Sequence, residues 1–332
     1  MVSAEISAGA LKWERLPSIP DREGFAGSFA GVSRGVILVA GGANFPDKLP
    51  WEGGTKVWHD CIFALEPDCT EWRNAGRLPR AGGYGISLTT PEGVLFIGGG
   101  DAKSNNTSVI RAYWNGSTAE FEQLPRLPLP LAMSAGVVVD RTVYVMGGLD
   151  TPTATKAQSI FLALNLDDLS AGWTRLEPCP GPERFLAVAG SDGIAIYLIG
   201  GARLVPGDGK AVREWLHDVW RYTPGKGWNR LADLPRAVVA APSPAPFVSG
   251  RLLVFGGDDG AQINTPPAKH SGFSHDVLAY DPVADRWSVD GKTPFALVTT
   301  PAVYWPGNLA IIGGERLPGI RSNEGWSASL VK

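Results

Sequence analysis

Six Gly-Gly pairs, each closing a short apolar run, punctuate the sequence: Gly41-Gly42 after VILVA, Gly98-Gly99 after VLFI, Gly147-Gly148 after VYVM, Gly200-Gly201 after IYLI, Gly256-Gly257 after LLVF and Gly313-Gly314 after LAII. Successive pairs lie 57, 49, 53, 56 and 57 residues apart, and an aromatic residue precedes each by 26 to 28 positions: Trp13, Trp72, Phe121, Trp173, Trp228 and Trp287. Leu-Pro follows that aromatic closely in four units, at Leu16-Pro17, Leu78-Pro79, Leu124-Pro125 and Leu234-Pro235. A fixed period of this length marks one supersecondary unit repeated along the chain. Each unit reads as a strand of small residues, an apolar strand ending in diglycine, a variable loop, a third strand and the aromatic strand. The third strands are DCIFALEP, SVIRAYW, SIFLALN, DVWRYTP, DVLAYDP and GWSASLV. A four-stranded sheet cannot bury both faces alone, and radial closure supplies the neighbours. The expected fold is therefore all-β, a six-bladed β-propeller forming one domain over residues 11–331.

The two chain ends indicate how the ring closes. The sequence opens on an aromatic strand, Leu11 to Leu16, with no blade of its own, and ends on a third strand without an aromatic partner. The two should complete the sixth blade together, which ties down both ends.

Composition agrees and removes several function classes. Glycine is 42 of 332 residues, about 13%, and proline 27, about 8%, against roughly 7% and 5% in ordinary chains. With 44% hydrophobic residues and a net charge of −3, disorder is excluded. That charge gives no basic stripe for a nucleic acid. The longest charge-free run, between Lys292 and Glu315, is broken by Pro294, Pro301, Pro306 and Asn308, so it reads as two strands and no membrane span. The N-terminal MVSAEISAGALKWERLP has neither the basic nor the apolar region of a secretory signal, so a cytoplasmic location is expected. Cys61, Cys69 and Cys179 are odd in number and form no CxxC, so they are expected to be reduced and structural.

Strand order selects the face on which chemistry can sit. If the inner strand runs away from one face, the diglycine strand returns to it. The loops after each diglycine and the loops leading into each inner strand then share that face around the central channel. Arg80, Arg184 and Arg236 lead into inner strands, and Asn44, Asp47, Asp101, Arg203, Asp258, Asp259, Glu315 and Arg321 lie in the loops after diglycines. Arginines converging from several blades suit an anionic ligand, because a guanidinium pairs with a carboxylate through two hydrogen bonds. In GGERLPGIR the glutamate directly follows the diglycine, and Pro318-Gly319 makes a turn that can bring Arg321 back beside Glu315.

The spacing resembles the kelch repeat. Three segments, GFAGSFAGVSRGVILVAGGANF, GGYGISLTTPEGVLFIGGG and AIIGGERLPGIRS, resemble blades of the bacterial N-acetylneuraminate epimerases, the sialic acid mutarotases. The first two segments come late in those enzymes and first here, so the resemblance is to a cyclically permuted branch of the family. It implies that Glu315 and Arg321 are the catalytic pair and that Arg184 matches a family arginine; with Arg80, Asn44 and Arg236, placed on the same face by strand order, Arg184 completes the substrate-binding candidates. At Gly82 those enzymes carry an arginine, and Arg80 stands two positions earlier here.

Other constellations carry less. The pairs His59-Asp60, His217-Asp218 and His275-Asp276 begin the third strand of three different blades, so their imidazoles cannot converge on one ion, and no HxH or HExxH occurs. No metal site is expected. GGYGIS precedes a strand where a phosphate loop needs a helix, so its glycines serve blade geometry. Of the twelve tryptophans, Trp51 and Trp215 lie in loops after diglycines and could stack on a sugar.

The resulting expectation is an isomerase interconverting the α and β anomers of N-acetylneuraminate through ring opening, with Glu315 shuttling protons, Arg321 clamping the carboxylate and no cofactor. The competing expectation is a kelch propeller that binds a protein or acidic glycan without chemistry, since this architecture hosts both roles.

Overall fold

In the computed structural model, which describes residues 11–305 and 307–330, the repeat becomes six four-stranded antiparallel sheets. Blade one is built from Phe29–Ser33, Val36–Ala40, Cys61–Leu65 and Arg73–Arg77, inner edge to outer. Blade two runs from Ile86–Thr90 to Ala119–Gln123, blade three from Ala135–Val139 to Thr174–Arg175, blade four from Val188–Ser191 to Gly227–Leu231, and blade five from Phe247–Val248 to Arg286–Lys292. Blade six combines Ala302–Trp305, Asn308–Ile312 and Gly325–Ser329 with the N-terminal Trp13–Leu16, whose register sets Trp13 opposite Ala328 and Leu16 opposite Gly325. The closure expected from the unmatched ends is the one observed. Val331, the last residue of the expected domain, lies outside the described residues.

The sequence signatures have separate structural duties. In four blades a tryptophan on or just before the outer strand ties the blade to its predecessor: the indole N–H groups of Trp72, Trp173, Trp228 and Trp287 donate to the carbonyls of Pro17, Pro125, Glu177 and Ala232, at 2.8, 2.8, 2.9 and 3.1 Å. The aromatic of one unit thus docks on or beside the Leu-Pro segment ending the unit before. Both residues of every diglycine have positive φ, 63° and 92° at Gly41 and Gly42, and a Cβ on Gly41 would stand 2.4 Å from the Gly82 carbonyl. Only glycine meets both demands.

At the axis, inner strands approach closely because they are rich in Ala, Gly, Ser and Val. Their free backbone groups are met by hydroxyls of the next blade, as in Ala30 N–H to Ser87 Oγ at 3.0 Å and Val32 N–H to Thr89 Oγ1 at 3.1 Å. On the way into each inner strand the chain turns through a left-handed residue: Gly27, Tyr84, Met133, Leu186, Ala240 and Thr299, with φ between 53° and 68°. The N–H of each donates to the carbonyl of its counterpart in the preceding blade, at 2.7 to 2.8 Å, and Gly27 completes the circle by donating to Thr299. A closed circle of six backbone hydrogen bonds therefore surrounds the channel mouth. Left-handed conformation in a non-glycine residue costs on the order of 1–3 kcal/mol and persists where surroundings enforce it; the circle does so. No helix among the described residues is long and apolar enough to cross a membrane.

Candidate active site

Three loops after diglycines fold back as two-stranded hairpins: Ala43–Asn44 with Val57–Trp58, Ala202–Pro206 with Ala211–Trp215, and Glu315–Leu317 with Ile320–Arg321. The hairpin of blade six turns at Pro318-Gly319, where Gly319 has φ of 80°, and sets Glu315 opposite Arg321 in register. The Gly319 N–H donates to Glu315 Oε1 at 2.6 Å, and Arg321 Nη1 stands 3.0 Å from that same oxygen. Arg321 Nε donates to the Ala43 carbonyl at 3.2 Å, and its guanidinium lies 5.0 Å from the Phe45 ring centre. Blade one thus anchors the arginine of blade six. The Arg321 side chain is only 5% exposed and Glu315 17%. Close as Nη1 is to the carboxylate, its N–H bonds are not aligned with it, so this buried nitrogen has no hydrogen-bond partner.

The pair lies in the wall of a cavity of about 410 Å³ at the channel mouth. The floor carries Tyr84, Met133, Leu186, Ala240 and Thr299, five residues of the hydrogen-bonded circle. Around it stand Lys56, Arg213, Arg321 and His270 against Asp258 and Glu315, with Trp215 and Phe273 as aromatic faces. Thr299 Oγ1 and Trp215 Nε1 are, like Arg321 Nη1, buried without a partner. Unspent donors on a cavity wall, with more cations than carboxylates, fit a polar anionic ligand.

Lys56 Nζ donates to the Tyr84 hydroxyl at 3.0 Å and lies 4.2 Å from the Tyr84 ring centre and 4.5 Å from that of Trp58. Burial, with the nearby Arg321 charge, lowers the Lys56 pKa to about 8 against a partial opposing effect of Glu315. Burial pushes the Tyr84 phenol up to about 12. The Pro-Gly turn and the family resemblance that single out Glu315 and Arg321 in the sequence point to neither of these two. The signal for Tyr84 is its place 14 residues before a diglycine, equivalent to Gly27 and Met133. Lys56 gives no periodic signal, because the return of a long loop is not written in strand spacing.

The structure brings Glu315 and Arg321 together and holds the three other arginines elsewhere, and Asn44 does not line their cavity. Asn44, 1% exposed, donates to Asp21 Oδ1 at 3.2 Å, and its Oδ1 pairs with His59 Nε2 at 2.8 Å; its neighbour Ala43 supplies the carbonyl that holds Arg321. Arg184 is spent within blade four: Nη1 and Nη2 reach Asp218 at 3.0 and 2.6 Å, Nη1 also the Gly200 carbonyl at 3.0 Å, and Nε the Pro182 carbonyl at 3.1 Å. Arg236 gives its Nη2 to the Gly256 carbonyl at 2.8 Å and Nη1 to Ala237 O at 3.2 Å. Arg80, on the exposed rim, pairs with Asp101 at 2.6 Å. None of these three lines the cavity that holds Glu315. Of the two candidate stacking residues, Trp215 lines the cavity, while Trp51, 37% exposed, packs against the Pro318-Gly319 turn.

The histidines that begin third strands make local contacts. His217 Nδ1 lies 3.4 Å from Leu234 O and His275 Nδ1 3.0 Å from Thr293 O, each beside the outer strand of its own blade. Among the described residues no three His, Cys, Asp or Glu side chains gather as metal ligands.

Comparison with known proteins finds a partial likeness to one family. The family model for N-acetylneuraminate epimerase matches residues 1–120, which hold blade one and the first three strands of blade two. An N-acetylneuraminate epimerase of Yersinia pestis (strain Pestoides F) is 34% identical over 133 residues, 35% of this chain and 33% of the relative. One from Brucella suis is 33% identical over 134 residues, 36% of this chain and 34% of the relative. The chain therefore matches about a third of the length of these curated relatives. Among solved structures, one titled "Structure of YjhT" superposes with a TM-score of 0.68 over 93% of this chain and 96% of its own, at 16% identity, a likeness of fold. The resemblance read from the first two segments is thus found independently, while AIIGGERLPGIRS lies outside the family-model match. The family-model match includes Asn44, Lys56 and Tyr84 and stops before Glu315 and Arg321.

Proposed function

We propose that this protein is a mutarotase that interconverts the anomers of N-acetylneuraminate. The observation that carries the reading is the Glu315–Arg321 pair, buried in the wall of a cavity richer in cations than in carboxylates, with an arginine N–H not aligned to its own carboxylate. The match of residues 1–120 supports the substrate class, and a match confined to one end is what a cyclically permuted chain yields.

In this reading Arg321 clamps the sugar carboxylate, using the donor that its partner leaves free. Its orientation is fixed by the Ala43 carbonyl and the Phe45 ring, and Asn44 holds that strand in place through Asp21 and His59. Glu315, steadied by the Gly319 N–H, takes the proton from the anomeric hydroxyl as the ring opens and returns one when it closes on the other face. Trp215 and Phe273 offer apolar faces for the carbon skeleton.

The test is anomer exchange followed by NMR on sialic acid freshly released as the α anomer. The proposal expects approach to equilibrium to accelerate in proportion to protein concentration. Ligand binding without acceleration would replace it with the non-catalytic reading.

A further inference from the structure

Opening a hemiketal ring moves two protons at one carbon. The anomeric O–H gives one up while the ring oxygen takes one as its bond to that carbon breaks. A single carboxylate serves the first transfer, and the second needs a donor within the same cavity. Of the residues on the cavity floor, only Tyr84 and Thr299 carry a hydroxyl, and only Tyr84 has a second donor behind it, Lys56 Nζ at 3.0 Å. The ammonium bonds a phenol oxygen instead of a carboxylate, so the phenol proton is left free to point away from the lysine.

The position of Tyr84 is built with care. Its backbone is left-handed, locked by hydrogen bonds to Gly27 and Met133, and its ring meets that of Trp58 edge-on at 5.4 Å. The equivalent residue of blade one is glycine, and a Cβ there would stand 2.6 Å from the Tyr84 ring. Gly27 thus makes room for the aromatic side chain.

We infer that Tyr84 is a catalytic residue, the acid that protonates the ring oxygen, and that Lys56 is the positioning residue that aims and recharges it. This rests on the mutarotase reading. In the step, Glu315 takes the anomeric hydroxyl proton, and the O–H electron pair becomes the second bond of the new ketone. The electrons of the broken carbon–oxygen bond stay on the ring oxygen, which takes the Tyr84 proton as Lys56 passes one of its own to the phenol oxygen. Neutral Lys56 and protonated Glu315 remain, and closure on the opposite face reverses every transfer. No other reactant is needed.

The charged groups around Lys56 are Arg321 and Glu315 on the hairpin of blade six, with Arg213, Asp258 and His270 elsewhere on the cavity wall. A lysine with a pKa of about 8 is matched to proton donation near neutrality. Its proton must be present, so exchange should decline as pH rises through that value.

Steady-state exchange against pH, on the parent protein, Tyr84→Phe and Lys56→Met, tests this. Tyr84→Phe should lower kcat by about 100-fold or more, within the usual reach of acid–base catalysis, with KM changed less than about two-fold and an unchanged melting temperature. Lys56→Met should lower kcat and abolish the decline near pH 8. Near-parent kcat in Tyr84→Phe, or a basic limb that persists in Lys56→Met, overturns the inference while leaving the mutarotase reading intact. A parent protein that exchanges nothing overturns both.

Discussion

Two buried arginine–carboxylate pairs, Arg184 with Asp218 and Arg321 with Glu315, share a chemistry and differ in what they leave over. In the first, all three guanidinium nitrogens are used, on two carboxylate oxygens and the carbonyls of Gly200 and Pro182, and Asp218 also accepts the Trp220 indole N–H at 2.5 Å. In the second, Arg321 spends Nε on Ala43, holds Nη1 beside Glu315 without aligning to it, and faces a cavity. The first pair is satisfied within blade four. The second joins two blades and keeps bonding capacity for something else. Burial of an ion pair therefore does not by itself distinguish the two; donors left over beside a cavity do.

The largest effect that would break this contrast is on stability. Arg184→Met leaves Asp218 buried without its partner and should cost about 3–5 kcal/mol, read as a large fall in denaturant midpoint. A loss under about 1 kcal/mol would contradict the structural role. Burial alone would raise the Asp218 pKa, but the hydrogen bonds and charge of Arg184 hold it below the usual carboxylate range. Its stabilisation is therefore complete above the unfolded value, near pH ~4, and is lost as pH falls through the lower folded value. The stability difference between the parent and Asp218→Asn should shrink as the pH drops below that range, and a constant difference would exclude the linkage.

Gly27→Ala should act next most strongly. It sets a Cβ against the Tyr84 ring at a residue with φ of 68°, so it should destabilise by about 1–3 kcal/mol and slow exchange by displacing Tyr84. Unchanged stability and rate would remove the proposed fit between blades one and two. Arg80→Ala should matter least. Its pair with Asp101 has a side chain 53% exposed, and exposed pairs contribute about 0–1 kcal/mol. An increase in KM for sialic acid would instead return Arg80 to the substrate site.

The six-fold repeat and its closure were legible because strand period, diglycine and aromatic each recur, and because the strand at Trp13 and the strand at Gly325 each lack what the other supplies. That Arg321 returns beside Glu315 was legible because a short Pro-Gly turn constrains where seven residues can go, whereas a role for the pair came from the family resemblance. The fate of Arg184 was not. Its position before an inner strand is the same in kind as that of Arg80, and only folding reveals that a diglycine carbonyl and Asp218 consume it. Lys56 was hidden for a similar reason: the loop from Asn44 returns as a second strand, a pairing that no period encodes. Where repeat units are alike, the residues that break the likeness are the ones a sequence shows least.

The central claim is that Glu315 is chemically active while Arg321 keeps donors for a ligand. Glu315→Gln preserves the shape of the side chain and its contact with the Gly319 N–H but removes the proton acceptor. NMR-detected anomer exchange, measured on this variant and the parent at equal concentration, should fall by about 10²–10⁴-fold with no change in melting temperature and with sialic acid still bound. Exchange at the parent rate in the folded variant would contradict the account.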